Sequence, residues 1–185
     1  TSNAATLNAN LTSLGTATTV NVFFEYGTTT SYGSTTTAQA MVAPGAFSII
    51  LTGLSPQTTY HFRAKADAGV HGMATGADMT FTTPALPTVS TSAATSVTSN
   101  AATLNANLTS LGTATTVNVF FDYGITTSYG STTTARAMTA TGVFSLNLTG
   151  LSPGTTYHFR AKADGGAHGI ATGADMTFTT LTGPT

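Results

Sequence analysis

The sequence has few of the residues that usually carry charge, disulfides and large aromatic cores. It has no cysteine and no tryptophan, and only five Lys or Arg and six Asp or Glu side chains among its 185 residues. A formal net charge of −1 is far from the basic surface of a protein that neutralises phosphates, so no nucleic acid partner is expected. The absence of cysteine leaves the redox compartment open, because a secreted domain with a sufficient core folds without disulfides.

Long hydrophobic runs are also missing. No apolar stretch approaches the ~20 residues that a membrane-spanning helix requires, so no membrane span is expected. The sequence does not begin with a signal peptide, and we expect it to be an excerpt of a mature protein. Charged residues make up 6% of the chain, compared with about a quarter of an ordinary globular protein. Such a surface has little charge repulsion to keep copies apart, so further copies of the chain are expected partners.

The chain contains an internal repeat. Residues 1–88 align without a gap on residues 98–185, and 73 of the 88 aligned positions are identical. The period of 97 residues exceeds the ~20–50 residues of solenoid and propeller units and suits a sandwich domain of ~100 residues. We therefore expect two whole domains, at residues 1–83 and 89–185. A linker at residues 84–88 contains two prolines, and this composition is typical of extended, semi-rigid connections.

Alternation of apolar and polar residues predicts strands throughout and no helix. In the first copy, apolar side chains alternate at residues 5–11, 20–26, 47–51 and 60–66, as in strands with one buried face. A weaker, Thr-rich strand is predicted at residues 34–41 and a closing strand at residues 78–83. Residues 89–97 supply an opening strand to the second copy alone, so a seven-stranded domain is predicted with the first copy lacking its opening strand.

A repeated corner motif is the most specific feature of the sequence. It consists of a leucine, a proline two residues later and a tyrosine four residues after that: Leu54, Pro56 and Tyr60, then Leu151, Pro153 and Tyr157. Proline fixes its own φ and has no N–H, so it suits a corner between strands. The tyrosine can bury its ring and turn its hydroxyl back onto the corner, as in the tyrosine corner of Greek-key sandwiches. We therefore predict an all-β fold.

With these motifs, both copies resemble the fibronectin type III family. The resemblance rests on the corner, the strand at residues 60–66 and the closing Phe81-Thr82-Thr83. The strand at residues 22–27 is similar to the version common in large bacterial and archaeal surface proteins. The resemblance implies immunoglobulin-like sandwiches in an extracellular or cell-surface protein. The turn at residues 68–72 lacks the Arg-Gly-Asp with which the family binds integrins, so integrin binding is not implied.

Few residues suggest a catalytic or metal-binding function. His61 and His158 occupy outward positions, and a metal site would need further converging ligands; His71, across a turn, is the candidate. Each copy has three acids on different strands, which provides no carboxylate pair for sugar hydrolysis, and no nucleophile or phosphate-loop motif is present. We therefore expect no catalytic residue, cofactor or metal.

Glu25 is expected to form a stabilising charge ladder with its basic neighbours on the outer face of one sheet.

Two interpretations of function stay open. Near-identity of the copies favours a non-enzymatic structural repeat in a stalk, sheath or filament, because a length-setting module recurs unchanged more readily than a catalytic domain. The alternative is an adhesin or a carbohydrate-binding accessory module. Outward Phe23 and Phe120 are the possible surface contacts for a glycan or a cell-surface partner.

The missing opening strand leads to one further expectation. An uncovered sandwich edge exposes backbone N–H and C=O groups, which are a template for strand addition. We expect the edge beside residues 4–11 to be filled in the native assembly. The strand comes either from a preceding repeat of the same polypeptide, which the 97-residue period favours, or from a neighbouring chain.

Overall fold

The computed structural model describes residues 1–183 and is built almost entirely of antiparallel β-strands. It divides into two compact units, Thr1–Pro84 and a second that begins at Ala85, each with its own hydrophobic core. This confirms the predicted all-β architecture of two sandwiches. The second domain was predicted to extend to residue 185, and Pro184 and Thr185 lie outside the described residues. In the described part of the chain, no helix is long and apolar enough to cross a membrane.

The first unit contains two sheets. Its strands are β1 (Ala4–Leu11), β2 (Val20–Gly27), β3 (Ser34–Thr35), β4 (Gln39–Met41), β5 (Gly45–Thr52), β6 (Thr59–Asp67), β7 (Met73–Thr75) and β8 (Met79–Thr82). Strands β1 and β5 form a two-stranded sheet. The other sheet has the order β3-β2-β6-β7, with β4 also paired to β2 and β8 also paired to β6. A 3-10 turn at Gly69–His71 joins β6 to β7.

The second unit repeats this arrangement and adds one strand. Its strands are β9 (Thr88–Thr95), β10 (Ala101–Ser110), β11 (Val117–Gly124), β12 (Ser131–Thr132), β13 (Arg136–Met138), β14 (Gly142–Thr149), β15 (Thr156–Asp164), β16 (Ile170–Thr172) and β17 (Met176–Thr179). The smaller sheet has three strands in the order β14-β10-β9. Strand β9 therefore lies along the edge of β10 that corresponds to the unpaired edge of β1. A second 3-10 turn, Gly166–His168, joins β15 to β16.

The continuous strand predicted at residues 34–41 is wrong, because the segment forms two short strands with a break between them. At the break, the Thr36 N–H donates to the Phe24 carbonyl at 2.9 Å, and the Thr36 hydroxyl accepts the Phe24 N–H at 2.9 Å. A threonine side chain thus replaces a backbone carbonyl as the acceptor from β2. The chain stays attached to the edge of the sheet without continuous strand geometry.

The connection between the units also differs from the prediction. Thr88, expected to be linker, already pairs with Ser110 as the first residue of β9. The Ala85 carbonyl accepts the N–H of Thr113 at 3.2 Å, and Pro87 is fully buried. Most of the predicted linker is therefore ordered structure at the start of the second unit.

Aromatic rings fill the centre of each core. Phe24 is fully buried, and its ring centroid lies 5.1 Å from that of Phe47 and 6.0 Å from that of Phe62. In the second unit, Phe121 makes the equivalent contacts with Phe144 at 5.3 Å and Phe159 at 6.3 Å. Tilted ring pairs at these distances contribute beyond simple area burial.

The two cores differ in how well their inward residues are covered. Ala102 and Ala106 on β10 are each 2% exposed, and Phe159 on β15 is fully buried. Their counterparts in the first unit are identical in sequence but only half-buried. These counterparts are Ala5, Ala9 and Phe62. The residues were predicted to face inward and they do, so the difference in burial follows from the presence of β9 in one unit only.

One substitution between the copies should affect stability directly. Gln57 has a φ of 51°, and Gly154 holds the equivalent corner position at a φ of 61°. A left-handed conformation costs a non-glycine residue about 1–2 kcal/mol, and the extra freedom of glycine in the unfolded chain offsets about 0.4–1 kcal/mol of that. We therefore expect Gln57→Gly to raise the free energy of unfolding of the first unit by about 0.5–1 kcal/mol in urea titrations.

The matched control is the reverse change in the other copy. Gly154→Gln should destabilise the second unit by a similar amount, because the nearest atom to an added Cβ, Thr182 Cγ2, is at an ordinary 3.5 Å. If neither variant changes the unfolding midpoint, backbone conformation at this corner does not limit the stability of the units.

Candidate functional site

The tyrosine corners are closed by hydrogen bonds in both units. Tyr60 is 8% exposed, and its hydroxyl oxygen accepts the N–H of Ser55 at 3.0 Å. Tyr157 accepts the N–H of Ser152 at the same distance. Leu54 and Leu151 are buried beside the tyrosines, while Pro56 and Pro153 lie exposed at the bend.

A threonine that the sequence analysis missed also closes the corner. The Thr83 hydroxyl donates to the Ser55 carbonyl at 2.6 Å and accepts the N–H of Thr58 at 3.0 Å. Thr180 makes the same two bonds in the second unit, to Ser152 and Thr155. The threonine is only 2% exposed in each unit, and its recurrence at the end of the closing strand is the signal that could have identified it.

The second polar feature is the outer-face patch, defined as Glu25, Tyr32, His61, Arg63 and Asp78. Strand pairing places Glu25 directly opposite Arg63 on β2 and β6. The Arg63 Nε donates to Glu25 Oε2 at 2.6 Å, and Lys65 Nζ lies 3.9 Å from Glu25 Oε1. This is the charge ladder expected from the alternation of residues along the two strands.

Tyr32 extends the ladder into a larger network. Its ring lies under the Arg63 guanidinium, with 4.5 Å between the guanidinium carbon and the ring centroid. Its hydroxyl donates to Asp78 Oδ1 at 2.9 Å. Tyr32 has a φ of 59°, which is rare for an aromatic residue. A Cβ at Gly27 would lie 1.5 Å from the Tyr32 carbonyl oxygen, so the loop requires glycine there, and the Gly27 and Tyr32-Gly33 pattern in both copies was the available signal.

His61 completes the patch through Asp78. Its Nδ1 lies 2.9 Å from Asp78 Oδ2. The hydrogen bond from His61 is the largest cause that holds the pKa of Asp78 below its ordinary value, and the bond from Tyr32 acts in the same direction. Desolvation, together with the hydrogen bond to Asp78, raises the pKa of Tyr32. The patch therefore favours an ionised Asp78 beside a neutral Tyr32 hydroxyl.

The second unit contains the same patch with a shorter acid. Asp122 replaces Glu25 and is 7% exposed; its Oδ2 lies 3.1 Å from Arg160 Nε and 3.7 Å from Lys162 Nζ. The remaining members keep their contacts: Arg160 lies 4.4 Å over the Tyr129 ring, and Asp175 is bonded by Tyr129 at 2.9 Å and His158 at 2.8 Å. Burial opposes ionisation of Asp175, yet the bonds from His158 and Tyr129 outweigh it and its pKa is lowered.

The suggested approach of His71 to His61 does not occur. His71 Nδ1 is instead bonded to the Thr16 hydroxyl at 3.0 Å, and His168 makes the same contact with Thr113 at 2.9 Å. Among residues 1–183, no group of three or more His, Asp or Glu side chains comes together in a way that could hold a metal ion. The histidines therefore serve as hydrogen-bonding partners of neighbouring loops and strands.

Phe23 and Phe120 are less accessible than their outward positions suggested. Both are half-buried, and each pairs across the sheet with a lysine, Lys65 or Lys162. The Lys162 ammonium lies 5.8 Å from the centroid of the Phe120 ring. A sugar stacking on Phe120 would first have to displace the Lys162 side chain.

The strand order identifies the type of sandwich. In the second unit, the opening strand β9 joins β10 and β14 in one sheet, and β11 and β15 are central to the other. This order, together with a tyrosine corner before β15, is that of the fibronectin type III sandwich. Both units are fibronectin type III-like domains. The first lacks only the opening strand.

The chain is similar in sequence to part of a known protein. No family model matches the chain. Over 156 residues, the chain is 38% identical to endoglucanase B of Cellulomonas fimi, a match that covers 80% of this chain and 14% of that protein. The chain thus spans about a seventh of the length of this curated relative.

Two solved structures are similar to part of this chain. The sensor domain of the anti-sigma factor RsgI4 in Pseudobacteroides cellulosolvens aligns at 17% identity with a TM-score of 0.43, over 51% of this chain and 74% of that one. A fibronectin type III domain derived from the human KIAA0970 protein aligns at 15% identity with a TM-score of 0.39, over 51% of this chain and 73% of that one.

The corner hydrogen bond should contribute measurably to stability. Tyr60→Phe leaves the Ser55 N–H without its acceptor in a half-buried position, which costs about 1–3 kcal/mol. We expect the first fibronectin type III-like domain to lose that much free energy of unfolding in urea. Tyr157→Phe is the matched variant in the second domain. Unchanged unfolding for both variants would show that the hydroxyl does not hold the corner.

Acid should weaken the outer-face patch through Asp78. Because its pKa is lower in the folded domain than its ordinary value of 3.8, its ionised form contributes stability above that value. This contribution disappears as the pH falls through the lowered folded-state pKa. We therefore expect Asp78→Asn to destabilise the first domain at about pH 5 and to have a progressively smaller effect as the pH is lowered below the ordinary pKa of Asp78. A destabilisation that stays constant as the pH is lowered would show that ionisation of Asp78 is not involved.

Proposed function

We propose that the chain is a non-enzymatic structural repeat of an extracellular protein, which sets length or spacing in a stalk, sheath or filament. The observation that carries the proposal is the duplication of the outer-face patch. The same five positions make the same contacts in both domains, and the one difference, Glu25 for Asp122, preserves the acid opposite arginine. The ionisable groups of the patch are used in internal contacts, as expected of a scaffold.

The extent of the match to the endoglucanase supports a role within a longer protein. The similarity covers 14% of that enzyme's length, which suits a module accompanying a separate functional domain. The chain itself consists of two domains in tandem. The carboxylates of the outer-face patch are bonded to arginine and tyrosine side chains in both domains. We infer that this chain spaces other parts of a larger extracellular polypeptide.

A carbohydrate-binding accessory module is the second candidate, favoured by the similarity to an enzyme named for acting on glucans. The surface contacts for such a role are Phe23 and Phe120. Both rings are half-buried, and Lys162 lies over the ring of Phe120, which favours the spacer instead. The two candidates make opposite predictions for glucan binding.

A binding assay with the whole chain separates them. We expect no saturable retention on insoluble cellulose or soluble β-glucan, and no release of reducing sugar ends. The double variant Phe23→Ala, Phe120→Ala should behave like the parent chain in this assay. Saturable binding by the parent that is lost in the double variant would support the accessory module and contradict the spacer.

A further inference from the structure

The differences between the two copies are concentrated along one side of the sandwich. Six of the fifteen positions at which the copies differ lie within residues 39–50, which form β4, β5 and the connection between them. Residues 1–24, by contrast, are identical to residues 98–121. A cleft of about 440 Å³ opens between β4 and β5, and Gln39 and Ala46 contribute to its lining. The substitutions therefore cluster around one cleft and the strand edge beside it.

Strand β5 has an unpaired outer edge, on the side of the sheet away from β1. It ends the order of its sheet, and within residues 1–183 no strand pairs with that edge. The pairing of β5 with β1 continues through all eight residues, Gly45–Thr52, without a bulge. The Ser48 carbonyl lies on the unpaired edge, where it accepts a hydrogen bond from Gln39 Nε2 at 3.4 Å. Because the backbone groups of an antiparallel strand alternate in direction, the N–H and C=O groups of Ala46 and Ile50 also lie on this edge.

The edge of β5 lacks the features that usually keep strand edges apart. Natural sheets block their edges with charged side chains, prolines or bulges, and β4 and β5 contain no charged residue and no proline. Ile50 is 69% exposed, on the face of β5 that points away from the core. An uncharged, largely apolar run such as residues 47–52 is typical of segments that pair with further strands. The edge therefore presents both main-chain groups and apolar surface.

The corresponding edge of β14, in the second domain, is blocked. Three positions along it differ in chemistry, with Arg136, Val143 and Asn147 in place of Gln39, Ala46 and Ile50. The charge of Arg136 opposes the approach of a second strand. Asn147 is already engaged within its own sheet, since its Oδ1 accepts the Thr103 hydroxyl at 2.7 Å. Val143 places a bulkier side chain where the first domain has a methyl group.

We propose that β5 pairs antiparallel with β5 of a second copy of this chain, so that the two smaller sheets become one sheet across a two-fold axis. With Ser48 opposite Ser48, each Ile50 lies across from Ala46 of the other copy, and the large side chain packs beside the small one. In the same register, β14 would place the amide of Asn147 against Val143, which offers it no hydrogen bond. The inference concerns contact between chains and does not depend on the spacer role.

A second copy is the partner because the edge of β5 is self-complementary. In antiparallel pairing, the N–H and C=O groups of Ser48 bond to the C=O and N–H groups of Ser48 in the other chain, and such main-chain bonds supply the affinity of strand addition. Charged residues make up 6% of the chain and its net charge is −1, so two copies repel each other little. Since only one domain has the open edge, a two-fold contact closes at two chains.

Sedimentation equilibrium of the whole chain tests the proposal, and we expect a monomer–dimer equilibrium for the parent chain. Gln39→Arg, Ala46→Val and Ile50→Asn together should raise the dissociation constant of the dimer by about tenfold or more, because they give the first edge the residues of the second. Each introduced residue already occupies that position in the folded second domain, so we expect the variant to fold. The control, Thr28→Ile with Val70→Ala, also exchanges residues between the copies but lies outside β4 and β5. It should leave the dissociation constant unchanged.

The reverse exchange tests the same positions by a gain of association. Arg136→Gln, Val143→Ala and Asn147→Ile together give the second domain the edge of the first, and a chain with two open edges should form assemblies larger than a dimer. Hydrogen exchange then locates the contact in the parent chain. Relative to dilute solution, a high chain concentration should slow exchange in residues 45–52. It should not do so in residues 142–149, which differ in sequence and are therefore separable.

The proposal is overturned if the parent chain stays monomeric up to about 1 mM, if the triple variant of the first edge associates as strongly as the parent, or if the control weakens association equally. It is also overturned if the reverse variant forms nothing larger than the dimer. Concentration-dependent slowing of exchange that leaves residues 45–52 unaffected would assign the contact to another surface and would likewise contradict it.

Discussion

The pairing of β9 with the edge of β10 determines how completely the core of the second domain is buried. Main-chain pairing holds β9 in place, and its inward side chains complete the apolar layer over β15. With it, Phe159, Ala161 and Ala163 have no exposed surface. Without it, the same residues of the first domain are half-buried. Because buried apolar area is the main source of stability in a sandwich, we expect β9 to contribute directly to the stability of the second domain.

The few charged residues of each domain are concentrated in the outer-face patch. With so few ionisable residues, each domain places an arginine between an acid and a tyrosine ring, and a second acid between a tyrosine and a histidine. An exposed ion pair alone contributes little, but this one joins β2, β6, the residue that precedes β8 and the loop that contains Tyr32. The patch therefore links neighbouring elements of one sheet through side-chain contacts. Its repetition in the second domain agrees with the proposed scaffold role.

The sequence was sufficient to predict the fold type and the positions of most long strands, because alternation and the Leu-x-Pro-x-x-x-Tyr corner are both local signals. It could not show the break in the strand at residues 34–41, where the Thr36 side chain substitutes for backbone pairing. The charge ladder was predictable from strand alternation, whereas Tyr32 was not. Its position depends on a positive φ and on a contact with Asp78 that is distant in sequence.

The most direct test of this account compares hydrogen exchange of the two domains in the unmodified chain. Strands β5 and β14, Gly45–Thr52 and Gly142–Thr149, differ in sequence and pair with β1 and β10 respectively, so each reports on one smaller sheet. We expect the amides of β5 to exchange faster than those of β14, since only β14 belongs to a sheet completed by the opening strand. Equal protection of the two strands would contradict it, because the first domain would then be stable without an opening strand.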